Sequence, residues 1–482
     1  MCKNRLVILC LLIISSISMA EDQLFPDPYV QPGVSNNRDL DFGVEGVASV
    51  DLFTGMLNIS QTDMVMKGVG PDISVVRNYH SSPFPRDLVG GRVFNGKNSF
   101  AFGWDMHFGR IIDNGTSFWE GCLKLNEFTH LNPFLELQDG STHKLYSPLA
   151  NLDIPHDLVS DNGWVVDCIH DTQKVGFIAT DSSGTKYRFD RYGTFRLRVG
   201  VGDKPAKGWM LSKITDIHNN SVTLTYKDWQ LTDNDELTTI AFISTSDGRF
   251  LDFNHTFNGS GNIRLESISS GWEGVDKEVW HYDYTVSAGV VAPDGYSMLS
   301  GVRGPEGLRW KYEYWAEGIA KYNLESVTAP YGGIEKYEYE IRDVPKAITT
   351  SLGFMPKTIA VGKKIIEGPA VETGVWKYDY ILEGNSIFDV VKVEGPYSTE
   401  QHFFCGSRTQ TIEAELNACF GMAGALVRKE IYSKDAFTPL LMQEEKLFWV
   451  NVGHGSQKEF PRGEGHDVHF FHKHHVEYWL VR

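Results

Sequence analysis

Cysteine is scarce in this chain, with six among 482 residues, and no two of them form a Cys-x-x-Cys pair. That absence argues against a structural zinc site and a thioredoxin-type redox centre, both of which need thiolates brought together locally. No Gly-x-Ser-x-Gly elbow exposes a nucleophilic serine, and no Gly-x-x-x-x-Gly-Lys-Ser/Thr loop cradles a phosphate. Gly259-Ser260-Gly261 reads as a turn with no partnering pattern. Positive charge is in deficit: 45 Lys and Arg stand against 62 Asp and Glu, a net charge of −17. Phosphate backbones and anionic lipid repel so acidic a chain, which sets nucleic acid and membrane surfaces aside as partners. The plainer consequence is solubility. No motif calls for a cofactor.

Long apolar runs are also few. The one that stands out is Leu6 to Ile17, preceded by the basic head Lys3-Asn4-Arg5 and followed by Ser18-Met19-Ala20. This is the pattern of a secretory signal over residues 1–20, too short for a comfortable membrane span, with an uncleaved N-terminal anchor as the alternative. The expected location is therefore secreted, at a cell surface or in a periplasm, with no membrane span after cleavage. Cleavage removes Lys3 and Arg5 and no acid, two cations fewer than the −17 of the whole chain, that is −19. Four cysteines remain, and an oxidising compartment invites their pairing. Cys405 and Cys419 flank a short polar stretch and are expected to pair, and Cys122 then pairs with Cys168. Three connectivities are open to four cysteines, and so are free buried thiols.

What the chain does contain is a strand that recurs. Trp280-His281-Tyr282-Asp283-Tyr284, Trp310-Lys311-Tyr312-Glu313-Tyr314, Glu335-Lys336-Tyr337-Glu338-Tyr339 and Trp376-Lys377-Tyr378-Asp379-Tyr380 each alternate aromatic with charged. Successive side chains on a strand point to opposite faces, so the eight tyrosines are expected inward and the charged residues outward. Apolar strands precede most of them. Leu299-x-x-Val302 leads into Gly304-Pro305-Glu306-Gly307, and Leu324-x-x-Val327 into Pro330-Tyr331-Gly332-Gly333. Val390-x-x-Val393 leads into Pro396-Tyr397, and Leu211-x-x-Ile214 into Asn219-Asn220 and Val222 to Tyr226. Apolar strand, turn and aromatic strand together make a hairpin. Such a unit cannot bury its aromatic face alone, and stacked copies give a continuous core. The expected fold is all-β, a wound antiparallel repeat array with solenoid character. A β-propeller is the alternative, though a blade would show four strands where two are seen. The first half is β as well, with turns at Asn114-Gly115, Asp139-Gly140, Ser183-Gly184 and Asp247-Gly248. Only Thr411 to Lys429 has the periodicity of a helix.

One stretch carries an ordered set of phrases. It begins Val50-Asp51-Leu52-Phe53-Thr54-Gly55, passes Thr62-Asp63-Met64 and Gly68-Val69-Gly70-Pro71, and continues Arg77-Asn78-Tyr79-His80-Ser81 to Phe102-Gly103-Trp104. This set resembles the N-terminal module of RHS/YD-repeat proteins, the family of RHS-type polymorphic toxins. The Tyr-x-Tyr strands resemble the repeats that follow that module, so the likeness covers roughly residues 40 to 400. It implies a β-sheet wound into a shell around a cargo polypeptide, commonly a C-terminal toxin, and finished by a self-cleaving Asp-Pro-x-Gly-Leu motif. Here the chain departs from the family. Its only Asp-Pro is Asp27-Pro28, followed by Tyr29. Self-cleavage is not carried over, and no catalytic residue transfers. The phrases themselves read as structure: Thr54-Gly55 and Gly68 to Pro71 suit turns. Ile73, Val75 and Arg77 share a face of a strand, and Arg77 and Asp63 either pair or satisfy loop carbonyls. The organisation expected is a signal (1–20), an N-terminal β module (21–200), hairpin repeats (201–400) and a Cys/His-rich extension (401–482) that either stands apart or continues the repeat.

Two further chemistries have residues that could carry them. The C-terminus holds His454, His466, His469, His472, His474 and His475, and on a regular strand His472 and His474 share a face. Two imidazoles on one face are a weak zinc or copper candidate, and a solvated strand edge explains them equally well. A secreted glycosidase would use the many carboxylates and stack sugars on the aromatics, but those aromatics fall on a core-facing period. The expectation is therefore a non-enzymatic shell or scaffold that encloses or presents a toxin or effector polypeptide, with a surface adhesin or carbohydrate- or protein-binding module as the alternative. Val476 to Arg482 is an apolar strand with no polar cap, which suggests covering by further RHS chain, by cargo or by a second copy.

Overall fold

In the computed structural model the residues described lie between 48 and 480. They leave aside 82–99, 114–132, 147–155, 161–162, 171–174, 196–205, 233–234, 258–262, 286–297, 344–356, 370, 382–387, 406–425, 435–439 and 455–468. The signal segment, Cys122 and Cys419 therefore fall outside the described residues. So does all of the expected helix except its end, Leu426 to Lys429, which is strand. Among the described residues there are twenty-eight strands and no α-helix, only a short 3₁₀ turn at Pro305–Gly307.

Four strands form a sheet of their own: β1 (Ala48–Val50), β2 (Leu57–Met66), β3 (Ile73–His80) and β4 (Trp104–Asp105), paired in that order. All the others belong to one antiparallel sheet. Its first part is β5 (Arg110–Asp113), β6 (Phe134–Glu136), β7 (Thr142–Tyr146), β8 (Leu158–Ser160), β9 (Val165–His170), β10 (Val175–Thr180), β11 (Lys186–Phe195) and β12 (Ala206–Thr215). Here β12 is a branch point. Lys207 to Met210 pair with β5, which closes these eight strands on themselves, whereas Lys213 to Thr215 pair with β13 (Ser221–Thr232).

From β13 the sheet continues as a meander, each strand pairing with the next. It passes through β14 (Asp235–Thr245), β15 (Arg249–Phe257), β16 (Ile263–Trp272), β17 (Val275–Thr285), β18 (Met298–Arg303), β19 (Arg309–Tyr314) and β20 (Leu324–Thr328). It ends with β21 (Ile334–Asp343), β22 (Lys357–Gly368), β23 (Val371–Ile381), β24 (Phe388–Glu394), β25 (Ser398–Cys405), β26 (Leu426–Ser433), β27 (Leu441–His454) and β28 (His469–Leu480). Within it β11 pairs with β12, and β25 with both β24 and β26. Consecutive pairing along a single wound sheet is the expected repeat array; a propeller would divide the strands into separate blades.

The alternation read from the sequence is present in β19, where Arg309 to Tyr314 alternate exposed and buried without exception. Tyr282, Tyr312, Tyr337 and Tyr378 are buried, and Tyr284, Tyr339 and Tyr380 pack against the same core. The two tyrosines of a Tyr-x-Tyr pair have different tasks. In four hairpins the hydroxyl of the second one donates to a main-chain carbonyl on the preceding strand, Tyr284 to Leu265 (2.8 Å), Tyr314 to Leu299 (2.8 Å), Tyr339 to Leu324 (3.0 Å) and Tyr380 to Val361 (2.9 Å), and in a fifth Tyr226, preceded by Leu224 rather than a tyrosine, donates to Leu211 (2.7 Å).

At every one of these acceptors the strand carries a β-bulge against its other neighbour. The extra residues are Ser212, Glu266, Ser300, Glu325 and Gly362, each following the acceptor directly. A bulge disrupts the ladder and leaves a carbonyl in need of a partner, and it bends the strand and adds twist. The repeated unit is thus a bulge closed by a tyrosine. Recurring hairpin after hairpin, it supplies the curvature that winds the sheet.

Candidate functional site: the seam inside the wound sheet

The aromatic face of the meander does not close on itself alone. The β1–β4 sheet lies against it, and the residues that do so are those of the ordered phrases. Asp51 accepts the N–H groups of Phe53 (2.9 Å) and Thr54 (2.8 Å), which shapes the turn into β2. Burial raises the Asp51 pKa above the ordinary carboxylate value, opposed by these N–H bonds. Thr54 Oγ1 accepts from Met56 N–H, and Gly55 follows with φ of 76°. Gly55 also rests on β22: a Cβ there would stand 2.3 Å from the Ala360 Cβ, and Gly55 O accepts Val361 N–H at 2.9 Å. Only glycine meets both demands.

At the centre, Asp63 and Arg77 pair through Arg77 Nε at 2.8 Å with no solvent exposure of either side chain. Arg77 Nη1 donates to Tyr312 Oη (2.6 Å), and Tyr282 Oη donates to Asp63 (2.9 Å). The guanidinium also lies 5.3 Å from the Trp104 ring centroid and 5.4 Å from that of Tyr312. Burial disfavours the Arg77 charge most strongly, yet the Asp63 carboxylate together with Tyr312 and Tyr282 offsets it and holds the pKa above the ordinary arginine value. Burial in turn pushes Tyr312 up to about 12, so its hydroxyl stays protonated. Trp104 Nε1 donates to Tyr314 Oη (2.9 Å), and Tyr79 Oη accepts Leu324 N–H (3.0 Å). Gly103, with φ of 75°, leaves room for the Tyr79 ring, 2.7 Å from where its Cβ would be. The hairpin turn after β2 packs Gly68 against Arg249, which donates to Met66 O (2.5 Å) and Pro71 O (3.1 Å).

Several seam residues carried no sequence signal. Lys364 is fully buried, donates to Ala48 O at 2.6 Å and pairs with buried Glu335 at 3.4 Å. Its place in Val361-x-x-Lys364 is the one an apolar residue holds in the other hairpins, which hid this unit. Arg342 reaches Phe53 O. Further along, Glu400 Oε2 accepts from His402 Nε2 (3.0 Å) and Lys429 Nζ (2.9 Å), and Lys429 lies across from Glu445 in the ladder.

A third cluster, Asp105, His107 and Glu136, brings three ligand atoms within 4.8 Å of one another, the spacing a metal ion would need. The chemistry around it does not fit one. Arg110 already occupies the space, with Nε 2.5 Å from Glu136 and Nη2 2.7 Å from Asp105. His107 Nδ1 accepts Gly109 N–H at 3.2 Å, so the ring proton sits on Nε2, 3.4 Å from Glu136. Metal-binding imidazoles normally donate their second nitrogen to an acceptor; here a donor faces it. The cluster is built to hold Arg110, whose other face lies 4.2 Å from the Phe195 ring centroid.

Cys168 is buried on β9, and Cys405 ends β25. His472 and His474 lie on β28, where a register shift opposite Phe448 and Trp449 leaves His474 without a cross-strand partner.

No family model matches the chain, and no curated protein does. Among solved structures, the crystal structure of TcdB2-TccC3 is similar over 84% of this chain and 26% of its own, with 9% identity and a TM-score of 0.35. A Photorhabdus luminescens Tc holotoxin pore is similar over 86% and 28%, with 8% identity and a TM-score of 0.34. The N-terminal domain of the effector protein SpvB from Salmonella typhimurium strain LT2 is similar over 91% of this chain and 100% of its own, with 11% identity and a TM-score of 0.20. The chain spans about a quarter of the length of the two Tc chains.

Proposed function

We propose that this protein is a shell or scaffold segment of RHS/YD type that works outside the cytoplasm, secreted, at a cell surface or in a periplasm. Its task is to enclose or present a toxin or effector polypeptide, and it does so without catalysis. The observation that carries the reading is the tyrosine-closed bulge recurring in five hairpins of one continuous sheet. Bulges at regular intervals curl a sheet on purpose, and a curled sheet with an apolar inner face is a container wall. The ionisable groups of the seam support the same view. Asp63, Arg77, Glu335, Lys364, Asp105, Arg110 and Glu136 are all engaged in buried ion pairs. Groups held in this way serve structure.

Two measurements on the native product test the reading. Its intact mass, taken from its own host, is expected well above the 54.3 kDa of this chain, with a second polypeptide region resisting protease until urea unwinds the sheet. A product slightly lighter than this chain, with no protected polypeptide, would refute a covalent cargo and leave a binding module.

A further inference from the structure

In a meander, alternate turns fall on the same rim. The turns β12–β13, β16–β17, β18–β19, β20–β21 and β24–β25 therefore share one with the β26–β27 connection, and those five are short. What they display is unusual for tight turns. Ile217 (66% exposed), Val275 (64%), Leu308 (44%), Tyr331 (76%) and Tyr397 (78%) occupy or flank their tips, and Leu440 (64%) leads into β27. Turn geometry accounts for Pro330, Gly332, Gly333 and Pro396, but it asks for no aromatic at 331 or 397. The β2–β3 turn joins this rim, since Val69, 82% exposed, is held there by its N–H on Asp247 at 3.0 Å.

Tips two strands apart are spaced about 10 Å, the width of a side-chain row. Counting Trp272 and Met442 beside their tips, the row exposes on the order of 900 Å² of apolar side chain, taking roughly 150–250 Å² for a whole aromatic. A standard interface buries about 800 Å² per partner. Three pairs of charges beside the tips neutralise one another, Asp247 with Arg249 (2.9 Å), Lys336 with Glu367 (2.8 Å) and Lys392 with Glu394 (2.5 Å), while the exposed acids Glu273 and Glu306 stand at two others. On a chain of net charge −17, the paired charges lower the local repulsion between two copies without removing it.

We propose that this rim is the surface on which a second copy of the chain docks, the two related by a two-fold axis. A row of spaced knobs can be self-complementary under such an axis: the tips of one rim seat in the gaps of the other. No strand edge is offered on the rim, so the contact is side chain to side chain. Because apolar area drives it against an overall like charge, added salt strengthens it.

The test is sedimentation velocity on the full chain from about 1 to 50 μM, a range that brackets the μM end of standard interfaces. The wild type is expected at twice its protomer mass, with association tightening as NaCl is raised. Tyr331→Ser combined with Tyr397→Ser is expected to weaken the dimer about thirtyfold, the loss of two anchoring tyrosines. Leu308→Lys gives a second rim variant, and Val279→Ser, on the outer face of β17, leaves the dimer unchanged. Far-UV circular dichroism and the thermal midpoint should not move in any of them. A wild type that stays monomeric throughout overturns the proposal. So does a dimer that both rim variants keep at full strength, which would place the contact elsewhere, or one that salt dissociates.

Discussion

Removing one oxygen from Tyr314 tests the tyrosine-closed bulge directly. Its hydroxyl donates to Leu299 O at 2.8 Å and accepts from Trp104 Nε1 at 2.9 Å, so it serves both the bulge and the seam. Leu299 and Trp104 are fully buried, and water does not replace the lost partner. A buried polar group left unsatisfied costs about 1–3 kcal/mol. Tyr314→Phe takes a partner from two such groups and is expected to destabilise by about 2–5 kcal/mol, with little change in volume. Tyr339→Phe takes one partner only, from Leu324 O, and is expected to cost about 1–3 kcal/mol. Tyr331→Phe changes an exposed turn residue and stays within about 0.5 kcal/mol of wild type. Urea unfolding followed by tryptophan fluorescence and by far-UV circular dichroism gives the three values, provided the two probes coincide. The reasoning fails if Tyr314→Phe costs less than about 1 kcal/mol, or no more than Tyr339→Phe.

Asp63→Asn strands the Arg77 charge at full burial and is expected to cost about 3–5 kcal/mol in the same assay, with Asp63→Leu/Arg77→Met recovering much of it. Equal destabilisation in the single and double variants would contradict that account. Burial holds His255 down to about 4 from 6.5, so the unfolded chain binds the extra proton first and stability is lost as pH falls from 6.5 to about 4. That loss is at most about 3 kcal/mol and smaller to the extent that the ring meets solvent; His255→Asn should flatten the pH profile across this window, and an unchanged slope would assign it to other groups. Zinc or manganese in excess should leave the thermal midpoint where it was, because Arg110 fills the Asp105–Glu136 cluster. A rise that Glu136→Gln abolishes would restore that cluster as a cation site.

Much of the wall was legible in the chain because its signals are local. Alternation in Trp310 to Tyr314 set the facing of the strand, and Pro330-Tyr331-Gly332-Gly333 set its turn, each within a handful of residues. The ordered phrases from Asp51 to Trp104 were readable as structural, but the ladder sets Arg77 opposite Gln61, and Asp63 meets it from a bulge that no local pattern announces. The partners those residues meet were not readable. Arg77 and Tyr312 are 235 residues apart and Lys364 and Ala48 are 316 apart, and no periodicity within a strand encodes which sheet lies over which. The bulges were hidden for another reason. An inserted residue leaves the Leu-x-x-Val phrase intact, so the task of the second tyrosine shows only when its hydroxyl is seen on the carbonyl before the bulge. Lys364 marks the limit in the other direction: an ammonium in an apolar phrase looks like the end of a strand until a buried carboxylate and a main-chain carbonyl are found beside it. Sequence alone determined that the chain makes aromatic hairpins with one buried face, since that follows from neighbouring residues. Only the tertiary structure decided what covers that face and how the hairpins curl, because both depend on contacts between residues hundreds of positions apart.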